Sequence, residues 1–352
     1  VNLPHRARLT VVAIAAVLLA GCAAQATPLP PTSSGAVPTP DESSQAATPP
    51  APTAAPSVTT REMSNGILTD FYEPNLMAVL RVPPTPGPTP LAVVVPGGGW
   101  QTSDPVDYRP LAESLTASGV STSLITYSTT ADGATFPRPI DDVACAVRWS
   151  AFQLNALGYP PSQIYLVGHS AGGQLVMEVA LTGDRFGSAC PYPPVSVTGV
   201  AGVAGVYDLA SSTAPAAIFS GGGTPEERAE FSPITAAKDP GTSIPPVRVM
   251  ILSGANDVIV PAEQPQQLAD ALRARGIDPE TQVLPLEHNM GFPLALEIAP
   301  IIAQWILGDA YVPSPTASAE VPAPPASPAP DPAAVAPSAS PVPPASPVPD
   351  AS

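Results

Sequence analysis

The run Leu166-Val167-Gly168-His169-Ser170-Ala171-Gly172-Gly173 carries a G-x-S-x-G pattern between two segments of different period. Residues 164–167 are an apolar, strand-like entry, and 174–181 follow with a helical pattern. A sharp strand-to-helix turn needs small residues two before and two after its centre. It lifts the central hydroxyl above the sheet and sets a helix N-terminus beneath it. The pattern alone is common; this context makes Ser170 the candidate nucleophile.

A serine hydroxyl needs a neighbouring base to lose its proton at neutral pH. The chain has three histidines. His5 sits in an apparent leader, and His169 adjoins Ser170, so its ring is expected to point away from the hydroxyl. That leaves His288, in Leu286-Glu287-His288-Asn289-Met290-Gly291-Phe292. A carboxylate must then orient the imidazole and stabilise its charged form. Asp257, in the loop after the apolar run 247–253, is the first candidate; Asp208 and Glu263 are the others. The order Ser170, Asp257, His288 is that of an α/β-hydrolase triad. Val95-Pro96-Gly97-Gly98-Gly99-Trp100 follows another apolar run. Its glycines let backbone N–H groups approach a substrate. Gly97 and Gly98, with Ala171, are the candidate oxyanion donors.

Working outward, short runs rich in valine and isoleucine alternate with longer helical patterns. Strands are predicted at 78–82, 91–95, 122–126, 163–167, 197–203, 247–253 and 281–286. Helices are predicted at 108–118, 139–157, 171–181, 262–275 and 294–307. The 91–95 run is wholly apolar, as a strand covered on both faces should be. Such alternation implies an α/β fold, a doubly wound and mainly parallel sheet. No large cap precedes the first core strand. The long connections are 183–196 and 210–246, and Ser220-Gly221-Gly222-Gly223-Thr224 reads as a mobile loop. Trp100 and Tyr207 are candidates to line a fairly open site for short acyl groups, or simply to pack the core.

Composition sets the limits of this domain. The chain has 352 residues and 52 prolines. Residues 23–60 hold nine of these prolines and 313–352 hold fourteen. Neither stretch has the apolar surface to offset its ordering entropy. The expected organisation is a leader at 1–21, a Pro/Thr/Ser/Ala-rich tether at 22–60, one domain at 61–312 and a disordered Pro/Ala-rich tail at 313–352. Lys+Arg is 13 against Asp+Glu 29, a net charge of −16, with Lys238 the single lysine. No basic stripe exists, which excludes nucleic-acid binding.

Arg6 and Arg8 precede the apolar run 11–20, which is too short to span a bilayer. Leu19-Ala20-Gly21-Cys22 resembles the lipobox of bacterial lipoproteins. That resemblance implies an exported protein held on the extracytoplasmic face of a membrane by a lipid on Cys22. Cys145 and Cys190 then remain, and an even pair in an oxidising compartment suggests one disulfide.

Taken in order, the four segments from about Leu91 to Trp305 resemble the α/β-hydrolase superfamily. They are most similar to bacterial feruloyl/acetyl carbohydrate esterases and hormone-sensitive-lipase-like esterases. The likeness includes Phe136-Pro137-Arg138-Pro139-Ile140-Asp141-Asp142-Val143 and Phe231-Ser232-Pro233-Ile234. It implies hydrolysis of small-molecule or glycan esters by two-step acyl transfer, with no metal and no cofactor. Two departures stand out: Pro96 replaces the histidine that often precedes the glycines, and Tyr127-Ser128 replaces a frequent Tyr-Arg pair. Two other functions fit the same residues. One is peptide or amide hydrolysis on the same triad; the other is an inert, wall-associated binding lipoprotein.

Overall fold

A computed structural model describes residues 63–292 and 295–311. The leader, Cys22, the tether and the tail lie outside these residues. An antiparallel hairpin, β1 (Ile67–Glu73) and β2 (Leu76–Arg81), begins the described part. There follow β3 (Thr89–Val95), α1 (Arg109–Ala117), β4 (Ser121–Ile125), α2 (Arg138–Ala156), β5 (Pro161–His169) and α3 (Ala171–Thr182). Then come β6 (Gly199–Val203), α4 (Pro225–Glu230), α5 (Pro233–Lys238), β7 (Arg248–Gly254), α6 (Glu263–Ala274), β8 (Glu280–Leu284) and α7 (Ile298–Leu307).

The eight strands form one open sheet in the order β1-β2-β4-β3-β5-β6-β7-β8. β1–β2 and β2–β4 are antiparallel, and every other pairing is parallel. The predicted doubly wound, mainly parallel α/β sheet is therefore present. Its two faces are covered by different helices. Leu91, Val93 and Val95 of β3 pack into one cluster with residues of α2, α3 and α6. Ala92 and Val94 point the other way, into a cluster with Leu111 and Leu115 of α1 and Ile298, Ile302 and Trp305 of α7. This alternation is why β3 reads as an unbroken apolar run: both sets of side chains are buried. Each of the leucine and valine side chains contributes roughly 1.5–3 kcal/mol by leaving water. Pro300 stands in the first turn of α7, where its missing N–H has no acceptor to lose.

All seven predicted strands and all five predicted helices occur, within a few residues at each end. β1, α4 and α5 were not predicted. β1 alternates buried and exposed residues, and it carries Asp70 and Glu73 as well as apolar side chains. Both short helices span six residues, too few to show a helical period, and both begin at a proline. The Ser220–Thr224 segment, read as mobile, folds around one carboxylate. Glu227 accepts from the N–H groups of Gly221, Gly223 and Thr224 and from the Ser220 hydroxyl. Cys145 of α2 is joined to Cys190 by a disulfide, with a Cα–Cα distance of 5.3 Å. Arg148 reinforces that connection by donating to the carbonyls of Gly187 and Phe186.

Candidate active site

The turn between β5 and α3 is built by close approach. A Cβ on Gly168 would lie 2.2 Å from the Gly172 carbonyl oxygen. One on Gly172 would lie 2.4 Å from the carbonyl oxygens of Val95 and Pro96. Those are backbone atoms that cannot move aside, so the two flanking positions accept only glycine. Between them Ser170 takes φ 53° and ψ −119°, a region that L residues rarely adopt. Its N–H donates to the Val203 carbonyl of the neighbouring strand, and its own carbonyl accepts from Gln174. The hydroxyl is thereby held at the carboxyl end of the central strand.

His288 reaches this hydroxyl from the loop after β8. Its Nε2 lies 2.8 Å from Ser170 Oγ, and its Nδ1 lies 2.8 Å from Asp257 Oδ2. Asp257 sits in the turn after β7, and its other oxygen accepts from the N–H groups of Ile259 and Val260 at 2.8 and 3.0 Å. The carboxylate is thus fixed by backbone donors on one side and faces the imidazole on the other. The three predicted triad residues are together. Asp208 and Glu263 are elsewhere: the Asp208 carboxylate accepts from the Ala210 N–H, and Glu263 is exposed in the first turn of α6.

The glycine loop requires one correction. Gly97 was expected to donate to an oxyanion, but its N–H is spent on the Tyr108 hydroxyl at 2.8 Å. Gly98 and Gly99 make no such bond through their N–H groups among the described residues. Ala171, first in α3, has no preceding turn to accept its N–H. The free donors are therefore Gly98, Gly99 and Ala171. Tyr127, the tyrosine of the altered Tyr-Arg pair, anchors the other departure: its hydroxyl donates to the Pro96 carbonyl at 3.1 Å, beside Ser128 where the pair often has arginine.

A cavity of about 130 Å³ opens beside Ser170, walled by Gly99, Trp100, Val206, Ala214, Pro215 and Val260 among others. Trp100 fulfils both readings: it lines the cavity, yet it is 3% exposed and donates from Nε1 to Gln174 at 3.0 Å. Tyr207 does not line this cavity. Its side chain is fully buried behind the sheet end, against Gly202 and Gly205.

Two polar side chains in this region, Gln174 and Gln264, escaped the sequence reading. Gln174 links Trp100 to the Phe231 carbonyl, and Gln264 accepts from the N–H groups of Tyr207 and Asp208. His169 does point away from the hydroxyl, but it is not idle. Its Nδ1 is 2.8 Å from the Tyr108 hydroxyl, and its Nε2 is 2.8 Å from the His288 carbonyl. Burial lowers its pKa to about 4. Burial also raises the Tyr108 phenol to about 12.

Comparison with known proteins agrees with this architecture. Esterase LipC of Mycobacterium tuberculosis is 28% identical over 203 residues, which cover 53% of this chain and 49% of that protein. A versiconal hemiacetal acetate esterase of Dothistroma septosporum is 32% identical over 96 residues, or 27% of this chain and 29% of that one. The chain thus spans about half or less of the length of these curated relatives. Among solved structures, the native esterase Est2 of Thermogutta terrifontis superposes with a TM-score of 0.57 at 20% identity, covering 71% of this chain and 95% of that one. At that identity the likeness shows the α/β-hydrolase fold alone. Residues 79–272, more than half of the chain and inclusive of Ser170 and Asp257, match the family model BD-FAE, and the chain belongs to the BD-FAE family.

Proposed function

We propose that this chain is a serine carboxylic-ester hydrolase. The observation that carries the reading is the continuous relay from Ser170 Oγ through both ring nitrogens of His288 to Asp257. His288 takes the Ser170 proton as the oxygen attacks the ester carbonyl. The Gly98, Gly99 and Ala171 N–H groups receive the charge that develops on the carbonyl oxygen. The alcohol leaves with the proton returned by His288. Water, deprotonated by the same imidazole, then releases the acid from Ser170. The esterase names of the sequence relatives support the reaction class.

The cavity beside Ser170 supports short acyl groups. Its volume of about 130 Å³ suits an acetyl to butyryl chain, and its walls carry no charged side chain. Acetylated carbohydrates are one class of ester with such an acyl group. Ser170→Ala should abolish hydrolysis of p-nitrophenyl acetate and labelling by a fluorophosphonate, with an unchanged circular dichroism spectrum. Full turnover by that variant would overturn the reading. Across p-nitrophenyl esters, kcat/KM should fall from butyryl to decanoyl, and a rise would refute the short-acyl assignment. An exported, lipid-anchored location is part of the same proposal. It is tested by mass spectrometry of the mature N-terminus, where an unlipidated start beyond Cys22 would refute it.

A further inference from the structure

The loop that presents the oxyanion donors and the loop that presents the imidazole come from opposite ends of the domain sequence. They meet through two side chains to which the reaction itself assigns no role. Tyr108 stands at the end of a short 3-10 turn just before α1, and His169 is the last residue of β5. Both are more than nine-tenths buried. Phe292 packs on both rings, with centroid distances of 4.7 Å to each.

The hydrogen bonds among these groups have one consistent direction. Gly97 has only an N–H to offer, so the Tyr108 oxygen must accept it. The phenol keeps its single proton at neutral pH, and its remaining partner is His169 Nδ1. That nitrogen therefore accepts, and the ring is neutral. The proton of the neutral imidazole then lies on Nε2, the nitrogen that faces the His288 carbonyl and can donate to it. The chain runs from Gly97 N–H to Tyr108 O–H to His169 Nε2–H to the carbonyl of His288, and every link is 2.8 Å.

We propose that Tyr108 and His169 are positioning residues that tie the glycine loop after β3 to the backbone of His288. The bridge sets the oxyanion donors and the imidazole in a fixed relation across the substrate carbonyl. It touches neither the substrate nor the reacting atoms. It rests on the serine-esterase reading, and it deepens that reading by naming what aligns the two halves of the site. The charged form of His169 would donate from both nitrogens, and its Nδ1 would lose the Tyr108 proton; burial keeps the ring out of that state.

Tyr108→Phe removes one oxygen and both of its bonds. His169→Asn keeps a polar group near Nδ1 but cannot reach the His288 carbonyl, whereas His169→Gln can place an amide N–H there. Tyr108→Phe and His169→Asn should each lower kcat on p-nitrophenyl acetate by about tenfold to a hundredfold, with KM within about twofold. His169→Gln should recover most of the His169→Asn loss. Wild-type kcat in the first two variants, or no recovery in the third, would overturn the bridge. A variant that does not fold is decided by the intact protein. There, ¹⁵N NMR of the His169 ring should show a neutral ring protonated on Nε2 from about pH 5 to about pH 8. A ring protonated on Nδ1, or charged, would overturn the proposal. The two readings fail separately: an unlabelled Ser170 in the wild type removes the esterase assignment, while the NMR result still judges the bridge.

Discussion

Ser170 and His288 share one hydrogen bond, yet they are held by different means. The serine is fixed by its own backbone. Central strand β5 lies between β3 and β6, the flanking glycines meet neighbouring carbonyls, and the bend admits one direction for the side chain. The histidine follows β8, an edge strand whose residues are largely exposed. Its loop is fixed by bonds from elsewhere: Asp257 to the ring and His169 to the carbonyl, with Ala255 and Asn256 donating to the loop's approach at Leu284 and Leu286. The serine's position thus rests on backbone contacts within the central sheet, from its own turn to the carbonyls of Val95, Pro96 and Val203. The histidine's position rests on side-chain and loop bonds at the sheet edge. Changes near Ser170 should therefore act on stability, and changes around His288 should act on rate.

The largest effect should come from the His288 side. Asp257→Asn leaves the volume unchanged but favours the wrong imidazole tautomer, so kcat should fall by about 10⁴. The midpoint of urea unfolding should hardly move. A large loss of stability with little change in rate would invert the comparison. Gly172→Ala tests the serine side. Its methyl would press on two backbone carbonyls, and the fold should lose about 3 kcal/mol or more, read from urea unfolding. A variant as stable as wild type would show that the turn is less constrained than its geometry indicates.

The smallest effect sharpens the comparison from a third place. Glu178 of α3 is fully buried, and neither carboxylate oxygen makes a hydrogen bond. Burial raises its pKa to about 8; Arg185, 3.7 Å away and partly exposed, only partly offsets this, and Glu230 opposes Arg185. The folded state therefore holds a proton that the unfolded chain releases near its ordinary carboxylate pKa. Stability contributed by that proton is complete at low pH and is lost as pH rises from about 4.5 toward about 8, at up to ~1.4 kcal/mol per unit. Asp142, raised by burial to about 6, adds a slope of the same sign over a lower range. Glu178→Gln should flatten the upper part of this dependence in urea titrations, without altering kcat at pH 7. An unchanged slope would place the proton elsewhere.

The division between a backbone turn and side-chain partners also explains what could be read without coordinates. The Ser170 turn and the strand before it are encoded in contiguous residues and were legible; the order of the triad was read from three separate segments. His288 was found by elimination among three histidines, which worked because the chain is so poor in them. The assignment of Gly97 failed because its donor is taken by Tyr108, eleven positions on, in a contact that no periodicity announces. Tyr207, read as either lining the site or packing the core, packs the core: its ring lies against Gly202 and Gly205. Gln174 and Gln264 left no pattern at all. A buried amide is recognised only by the carbonyls and N–H groups brought to it by separate elements.

The positive φ at Ser170 has a cost beyond this one turn. Glycine would adopt the same bend without crowding, so relieving this strain would remove the very hydroxyl proposed to attack the ester. Any lineage or engineering screen that rewards only heat resistance will tend to erode this position, and thermally hardened descendants should be checked for turnover before their robustness is taken as a gain.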